Sequence, residues 1–221
     1  MEGVQWSVVV PAKRLDVAKT RLRPATAGLP DAAAAHCGLV LALLADTVAA
    51  ALACRAVDAV LVVTDDPAAE RLVRRLGART VADEPDEGLN PALAHGAARL
   101  HGPVAALSSD LPALRPDELG AALTAAATGT PRAFVADAEG RGTTLLTAAG
   151  VPLDPRFGVG SAAAHAATGA RLLDGDWPGL RRDVDTPDDL EAAVRLGVGP
   201  HTAAQLSRLR TIAGTRSGTG G

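Results

Sequence analysis

Three short apolar runs, at residues 6–10, 57–64 and 104–107, each stop abruptly at polar or charged residues, and alanine- and leucine-rich stretches with helical spacing lie between them. Strand-like segments alternating with helix-like ones point to an α/β fold with a largely parallel sheet, because parallel neighbours need a long crossover between them. Asp31 is placed to cap a long helix running to about residue 53. A second helix is expected over 68–76, closed by Gly77, and short strands over 79–82 and 132–136. Further helices are expected over 89–100, from Pro116 to about 127, over 188–196 and over 202–210. Ser161 opens a short helix, and 170–173 reads as a strand. Residues 137–144, Asp-Ala-Glu-Gly-Arg-Gly-Thr-Thr, read as a glycine-rich turn. The Gly/Ser/Thr-rich segment 211–221 reads as a disordered tail.

The chain has 221 residues, which suits one domain. Aromatic residues make up only 2% of it, so the core must rest on Val, Leu and Ala packing. A net charge of −3 favours neither nucleic acid nor an anionic membrane surface. Cys37 and Cys54 fall in the alanine-rich stretch and read as small apolar residues, not as a disulfide. None of the five histidines has zinc-ligand spacing. No signal-peptide pattern opens the sequence, and Asp46 interrupts the apolar stretch 37–54, which we read as too short for a membrane span. These features lead us to expect a soluble cytoplasmic protein.

Chemistry concentrates in a few places. Both lysines, Lys13 and Lys19, fall in the loop after the first apolar run, together with Arg14, Arg21 and Arg23, while every other basic residue is an arginine. A cationic loop after a strand's C-terminal end is where open α/β folds hold phosphate ligands, and lysine offers a compact point charge. Asp110 closes the 104–107 run and is set to hold a metal over the sheet, or else is an ordinary loop acid. Asp183 and Asp185 alternate around Val184, so on an extended backbone they share a face. Magnesium needs one or two such carboxylates plus ligand phosphates. A helix N-cap before Thr186-Pro187 is the competing role for Asp185. Residues 158–163, Gly-Val-Gly-Ser-Ala-Ala, match the dinucleotide fingerprint G-x-G-x-x-A, but Pro155 and the charges before them spoil the strand that motif needs. A glycine-flanked Ser161 at a helix start nevertheless suits an anion.

Several fragments occur together in order: Val10-Pro11-Ala12-Lys13, Ala18-Lys19-Thr20-Arg21-Leu22, Val62-Val63-Thr64-Asp65-Asp66, Gly88-Leu89-Asn90 and Ser109-Asp110-Leu111-Pro112. Gly142-Thr143-Thr144, Asp154-Pro155-Arg156-Phe157-Gly158 with Ser161, and Asp183-Val184-Asp185-Thr186-Pro187-Asp188-Asp189-Leu190 complete the set. On these residues the chain resembles the 2-phospholactate or phosphoenolpyruvate guanylyltransferases of coenzyme F-420 biosynthesis. The Leu-Ala-Gly-Gly opening of the related molybdenum-cofactor enzymes is absent. The resemblance implies a single-domain Rossmann-like nucleotidyltransferase fold (GT-A-like) over residues 1–210, with a mostly parallel mixed sheet and helices on both faces. It implies GTP and a phospho-acid, phosphoenolpyruvate, as partners, with Mg²⁺ as cofactor. By the same resemblance Lys13, Lys19 and Asp110 carry catalysis, and Lys13, Lys19 and Asn90 meet the nucleotide. Thr143, Gly158 and Ser161 meet the phospho-acid, and Asp110, Asp183 and Asp185 hold metal. Arg141 and Arg156 flank the acid site and are candidates to pair with its carboxylate.

The implied reaction joins the acid's phosphate to the α-phosphorus of GTP. That oxygen is already ionised, so no Ser-His-Asp or Cys-His pair is required. Phosphoenolpyruvate, 2-phospholactate and 3-phosphoglycerate differ little in shape, and the choice among them stays open, as does monomer against homodimer. Two competing classes are an NAD-binding oxidoreductase using residues 158–163 and a non-catalytic GTP-binding regulator.

Overall fold

The computed structural model describes residues 4–15, 18–84 and 86–217. Seven strands form one mixed sheet in the order β3-β2-β1-β4-β6-β5-β7. They are β1 (Trp6–Pro11), β2 (Val57–Val63), β3 (Arg79–Val81), β4 (Val104–Leu107), β5 (Arg132–Ala136), β6 (Thr143–Ala148) and β7 (Arg171–Leu172). The helices are α1 (Ala32–Ala53), α2 (Pro67–Leu76), α3 (Leu89–Ala97), α4 (Pro116–Ala126), α5 (Ser161–Ala167), α6 (Pro178–Arg181), α7 (Pro187–Leu196) and α8 (Pro200–Ser217), with a 3₁₀ turn at Thr20–Thr26. Strands β3, β2, β1 and β4 run parallel, while β6 runs antiparallel to both β4 and β5. The expected α/β sheet, mostly parallel with helices on both faces, is the fold observed.

Central strands bury both faces. Val8 and Val10 point into a layer shared with Leu44 and Val48 of α1 and Leu119 and Leu123 of α4. Val9 points the other way, into a layer with Leu93 of α3 and Phe134 and Leu146 of the sheet. Each such buried side chain contributes about 1.5–3 kcal/mol, so valine and leucine suffice for a core that holds so few aromatic rings.

Sequence reading missed one strand. β6 begins inside the expected glycine-rich turn, and all six of its residues are buried. A short strand covered on both faces shows no apolar–polar alternation, so Thr-Thr-Leu-Leu-Thr-Ala gives no period-2 signal. The register Leu107↔Leu145 sets the start of this antiparallel strand beside the end of β4. Helix α6 was missed as well. It is one turn long, and Glu118 of α4 holds it by accepting hydrogen bonds from the N–H groups of Gly179 and Leu180 at 3.3 and 2.8 Å.

The last helix corrects the expected tail. α8 begins at Pro200 and continues to Ser217, so 211–217 are helical, and 218–221 lie outside the described residues. α1 also departs from expectation. At 22 residues it has the length and apolar character of a membrane span, yet it packs against β2, α2 and α8. The acid that interrupts it has a structural role. Buried Asp46 accepts hydrogen bonds from His201 N at 3.0 Å and Thr202 N at 2.8 Å, capping the first turn of α8 from a neighbouring helix. Replacement by alanine leaves both donors without that acceptor. Asp46→Ala should lower unfolding free energy by about 1–3 kcal/mol, read by urea titration, with helix α8 the first segment to lose amide-exchange protection.

Candidate active site

Parallel β1 and β4 end side by side, and antiparallel β6 starts there, so three chain segments turn over one edge of the sheet. A cavity of about 750 Å³ opens at that edge. Lys13, Lys19, Asp110, Thr143, Gly158, Ser161, Asp183 and Asp185 all line it. The basic loop and the acids, distant in sequence, are therefore neighbours in space. Of the five cations in that loop, Lys13, Lys19 and Arg21 line the cavity; Arg14 and Arg23 are not among its walls.

One contact draws the acids together. The N–H of Val184 donates to the carbonyl of Asp110 at 3.1 Å. With Val184 fully buried, the flanking Asp183 and Asp185 both turn to the cavity, as their alternation predicts. Asp185 is not the cap of α7. Thr186 caps that helix in a reciprocal box with Asp189, which leaves the Asp185 carboxylate for the site. Lys19 Nζ donates to Asp110 Oδ2 and to Asp185 Oδ1. Arg21 adds a longer pairing to Asp185 at 3.9 Å. Lys19 adopts a left-handed backbone, φ 51° and ψ 45°, as the residue before the 3₁₀ turn. That conformation costs an L-residue roughly 1–2 kcal/mol, and here it coincides with the aim of the ammonium at two carboxylates.

The other end of the basic loop is tied down by Asp66. Its carboxylate caps α2 through Ala68 N and Ala69 N, at 2.8 and 3.0 Å, and also accepts from Leu15 N at 3.1 Å. Desolvation raises its pKa, but these three donors outweigh it and hold the group below the ordinary carboxylate range.

Asp183 behaves differently. Burial pushes its pKa up, Lys19 pulls it back, and Asp185 and Asp137 push it further, to about 6. A carboxyl this reluctant to ionise gains from an added cation. Among the described residues no three carboxylate, imidazole or thiolate groups converge in a ready metal cage. What converges is a set of carboxylates already holding one cation, the Lys19 ammonium. That suits an ion such as magnesium, which takes one or two carboxylates and completes its shell with phosphate and water.

The wall formed by β6 and α5 carries hydroxyls and glycines beside the charged 137–141 turn. Thr143, at the start of β6, is 6% exposed and its Oγ1 lies 2.9 Å from His165 Nδ1. Gly158 and Gly160, at φ 134° and 72°, let the chain turn over the cavity before α5, a path L side chains rarely follow. Ser161 lines the wall, but its N–H already donates to Gly158 O at 3.1 Å, so the expected backbone cradle there is partly occupied. Among the described residues no strand leads directly into Gly158, so the dinucleotide fingerprint lacks the β–α turn that gives it meaning.

Three expected residues take other partners. Asn90, expected beside guanine, uses both ends of its amide on one residue: Nδ2 donates to Phe157 O at 3.0 Å and Oδ1 accepts from Phe157 N at 2.7 Å. It pins the 154–160 loop to α3, and its neighbour Leu89 lines the cavity instead. Arg156 turns away to Asp154, with contacts of 3.1 and 3.0 Å. Arg141 lines the cavity and pairs with Glu139 at 2.7 Å on its exposed side. Sequence reading missed Asp137, whose carboxylate accepts from Arg141 N at 2.9 Å and Gly142 N at 2.7 Å and so shapes the turn into β6. It missed His165 too, because an isolated histidine in an alanine-rich helix carries no spacing signal.

Known proteins share this arrangement. The model of the MobA-like NTP transferase domain matches residues 41–174. The phosphoenolpyruvate guanylyltransferase of Geodermatophilus obscurus is 70% identical over 202 residues, covering 91% of this chain and 94% of the relative. That of Salinispora arenicola is 58% identical, covering 95% and 97%. A crystal structure from Desulfovibrio desulfuricans G20, assigned as a nucleotide-diphospho-sugar transferase, superposes with a TM-score of 0.67 over 95% of this chain and 96% of its own, at 16% identity. It supports the fold alone.

The raised Asp183 pKa has a sign that can be checked without ligand. Between about pH 4 and pH 6 the folded protein binds a proton here that the unfolded chain releases. This group's contribution to stability therefore falls as pH rises through that window. Asparagine does not titrate. In metal-free buffer, the stability advantage of Asp183→Asn over wild type should widen by on the order of 2 kcal/mol from pH 4 to pH 6 and stay level above pH 7. A gap that does not change with pH would show that burial leaves the carboxyl unperturbed.

Proposed function

The chain belongs to the phosphoenolpyruvate guanylyltransferase family, within the MobA-like NTP transferases, and from that premise we propose that it joins GTP to phosphoenolpyruvate. A phosphate oxygen of the acid attacks the α-phosphorus of GTP. The bond from that phosphorus to the β-bridging oxygen breaks and pyrophosphate leaves. The product is enolpyruvyl-diphospho-guanosine, and coenzyme F-420 biosynthesis is the setting that the family resemblance implies. The described residues, through the end of α8 at Ser217, act as one nucleotidyltransferase domain.

The observation that supports this reading is one cavity lined both by charged groups and by small hydroxyl- and glycine-bearing residues. Its lining includes Lys13, Lys19, Arg21, Asp110, Asp183 and Asp185 together with Thr143, Gly158 and Ser161. Both substrates are anions, and the main barrier is to bring them together in line. Lys13 and Lys19 offset triphosphate charge as point charges able to follow moving oxygens. Thr143 and Ser161 hydroxyls orient the phospho-acid, and Arg141 meets its carboxylate. Nucleotidyltransferases commonly use a divalent metal. In this chain Asp110, Asp183 and Asp185 would hold Mg²⁺, which supplies Lewis-acid stabilisation of charge growing at the α-phosphorus. The attacking group is ionised at neutral pH, so the reaction needs no nucleophile–base pair from the protein.

Pyrophosphate release should require GTP, Mg²⁺ and phosphoenolpyruvate together, and chelation of the metal should stop it. Asp110→Asn should lower kcat at least ~100-fold while shifting Tm by no more than about 3 °C. Retention of most activity would rule out the metal assignment. Parallel assays with 2-phospholactate and 3-phosphoglycerate read the acid preference directly. GTP binding without pyrophosphate from any of the three would instead mark a regulatory nucleotide binder.

A further inference from the structure

His165 is fully buried beneath the acid end of the cavity, between the rings of Phe134 and Phe157, with centroids 5.8 and 5.2 Å away. Both of its nitrogens are engaged. The N–H of Arg156 points at Nε2 from 2.9 Å. A backbone N–H only donates, so Nε2 must keep its lone pair. A neutral ring then carries its proton on Nδ1, 2.9 Å from Thr143 Oγ1. The hydroxyl of Thr143 accepts that proton's hydrogen bond, and its own hydrogen is left to point elsewhere. A protonated ring would set N–H against N–H at Nε2.

We propose that His165 is a positioning residue for the phospho-acid: by donating from Nδ1 to Thr143 Oγ1 it keeps that hydroxyl's hydrogen from turning back to the ring and leaves it for an oxygen of the ligand. This inference rests on the reading of Thr143, Gly158 and Ser161 as the acid's subsite. The surroundings keep the ring neutral. Burial pushes its pKa down to about 4, the carboxylate of Asp154 acts in the opposite sense, and the charge of Arg156 adds to the fall. A hydroxyl whose hydrogen is already turned away from the ring loses less rotational freedom on binding than one free to turn.

The test is a double-mutant cycle on the full chain, with KM measured separately for phosphoenolpyruvate and GTP. Thr143→Val and His165→Phe should each raise the acid's KM by ~10–100-fold and move the GTP value by less than ~3-fold. The double variant should be no worse than Thr143→Val alone, because the histidine acts through the threonine. Multiplicative losses would overturn the proposal while leaving the subsite intact. An unchanged acid KM in Thr143→Val would remove the subsite and the proposal with it. Wild-type protein labelled with ¹⁵N-histidine gives a reading that does not depend on a variant's folding. At pH 7 the ring nitrogens should show a protonated Nδ1 and a bare Nε2, and the reverse tautomer or an imidazolium would overturn the assignment.

Discussion

Asp110, Asp183 and Asp185 line one cavity at the edge of the sheet, because a backbone hydrogen bond, Val184 N–H to Asp110 O, lays residues 183–185 beside the residues that follow β4. Burial raises the Asp183 pKa, and repulsion from Asp185 and Asp137 adds to the rise. The Lys19 ammonium is the counterweight, in contact with Asp110 and Asp185 together. Much of the surrounding architecture serves that contact. Asp66 fastens the start of the basic loop to α2, the 3₁₀ turn follows it, and the backbone of Lys19 takes up the strain of a left-handed conformation between them. Asp183 remains the least compensated of the three, and its raised pKa is the trace of that imbalance.

The reversed direction of β6 gives the cavity its second end. Had the strand after β4 in the sheet run parallel, its polar start would lie at the opposite edge. Running antiparallel, β6 brings Thr143 next to the end of β4, and the Asp137 turn delivers it there. Buried His165 and Asn90 then stitch the 154–160 loop over that wall through bonds to the backbone of Arg156 and Phe157.

How much of this was legible in the sequence depended on whether a residue's signal was local. β1, β4, the capped start of α1 and the Gly77 end of α2 were readable, because apolar runs, Asp31 and Gly77 act within a few residues of themselves. The gathering of Lys19 with Asp110 and Asp185 followed from their places at strand ends in an α/β fold, and Val184 between two acids announced its buried position. β6 was hidden because a doubly buried strand has no alternation. α6 and the start of α8 depend on carboxylates some sixty and one hundred and fifty residues away, Glu118 and Asp46. The bond of Asn90 to the backbone of Phe157 was hidden for a related reason: an amide side chain suits a ligand as well as a backbone, and Phe157 arrives from 67 residues away.

The central claim is that this edge of the sheet brings an acid's phosphate to the α-phosphorus of a nucleotide. The most direct measurement follows the label from GTP carrying ³²P at the α or the γ position, incubated with Mg²⁺ and phosphoenolpyruvate. The expected result is that α-label moves into a product that also contains the acid, while γ-label leaves only as pyrophosphate. Label released from the γ position as orthophosphate, or α-label recovered as free GMP or GDP with no conjugate, would contradict it.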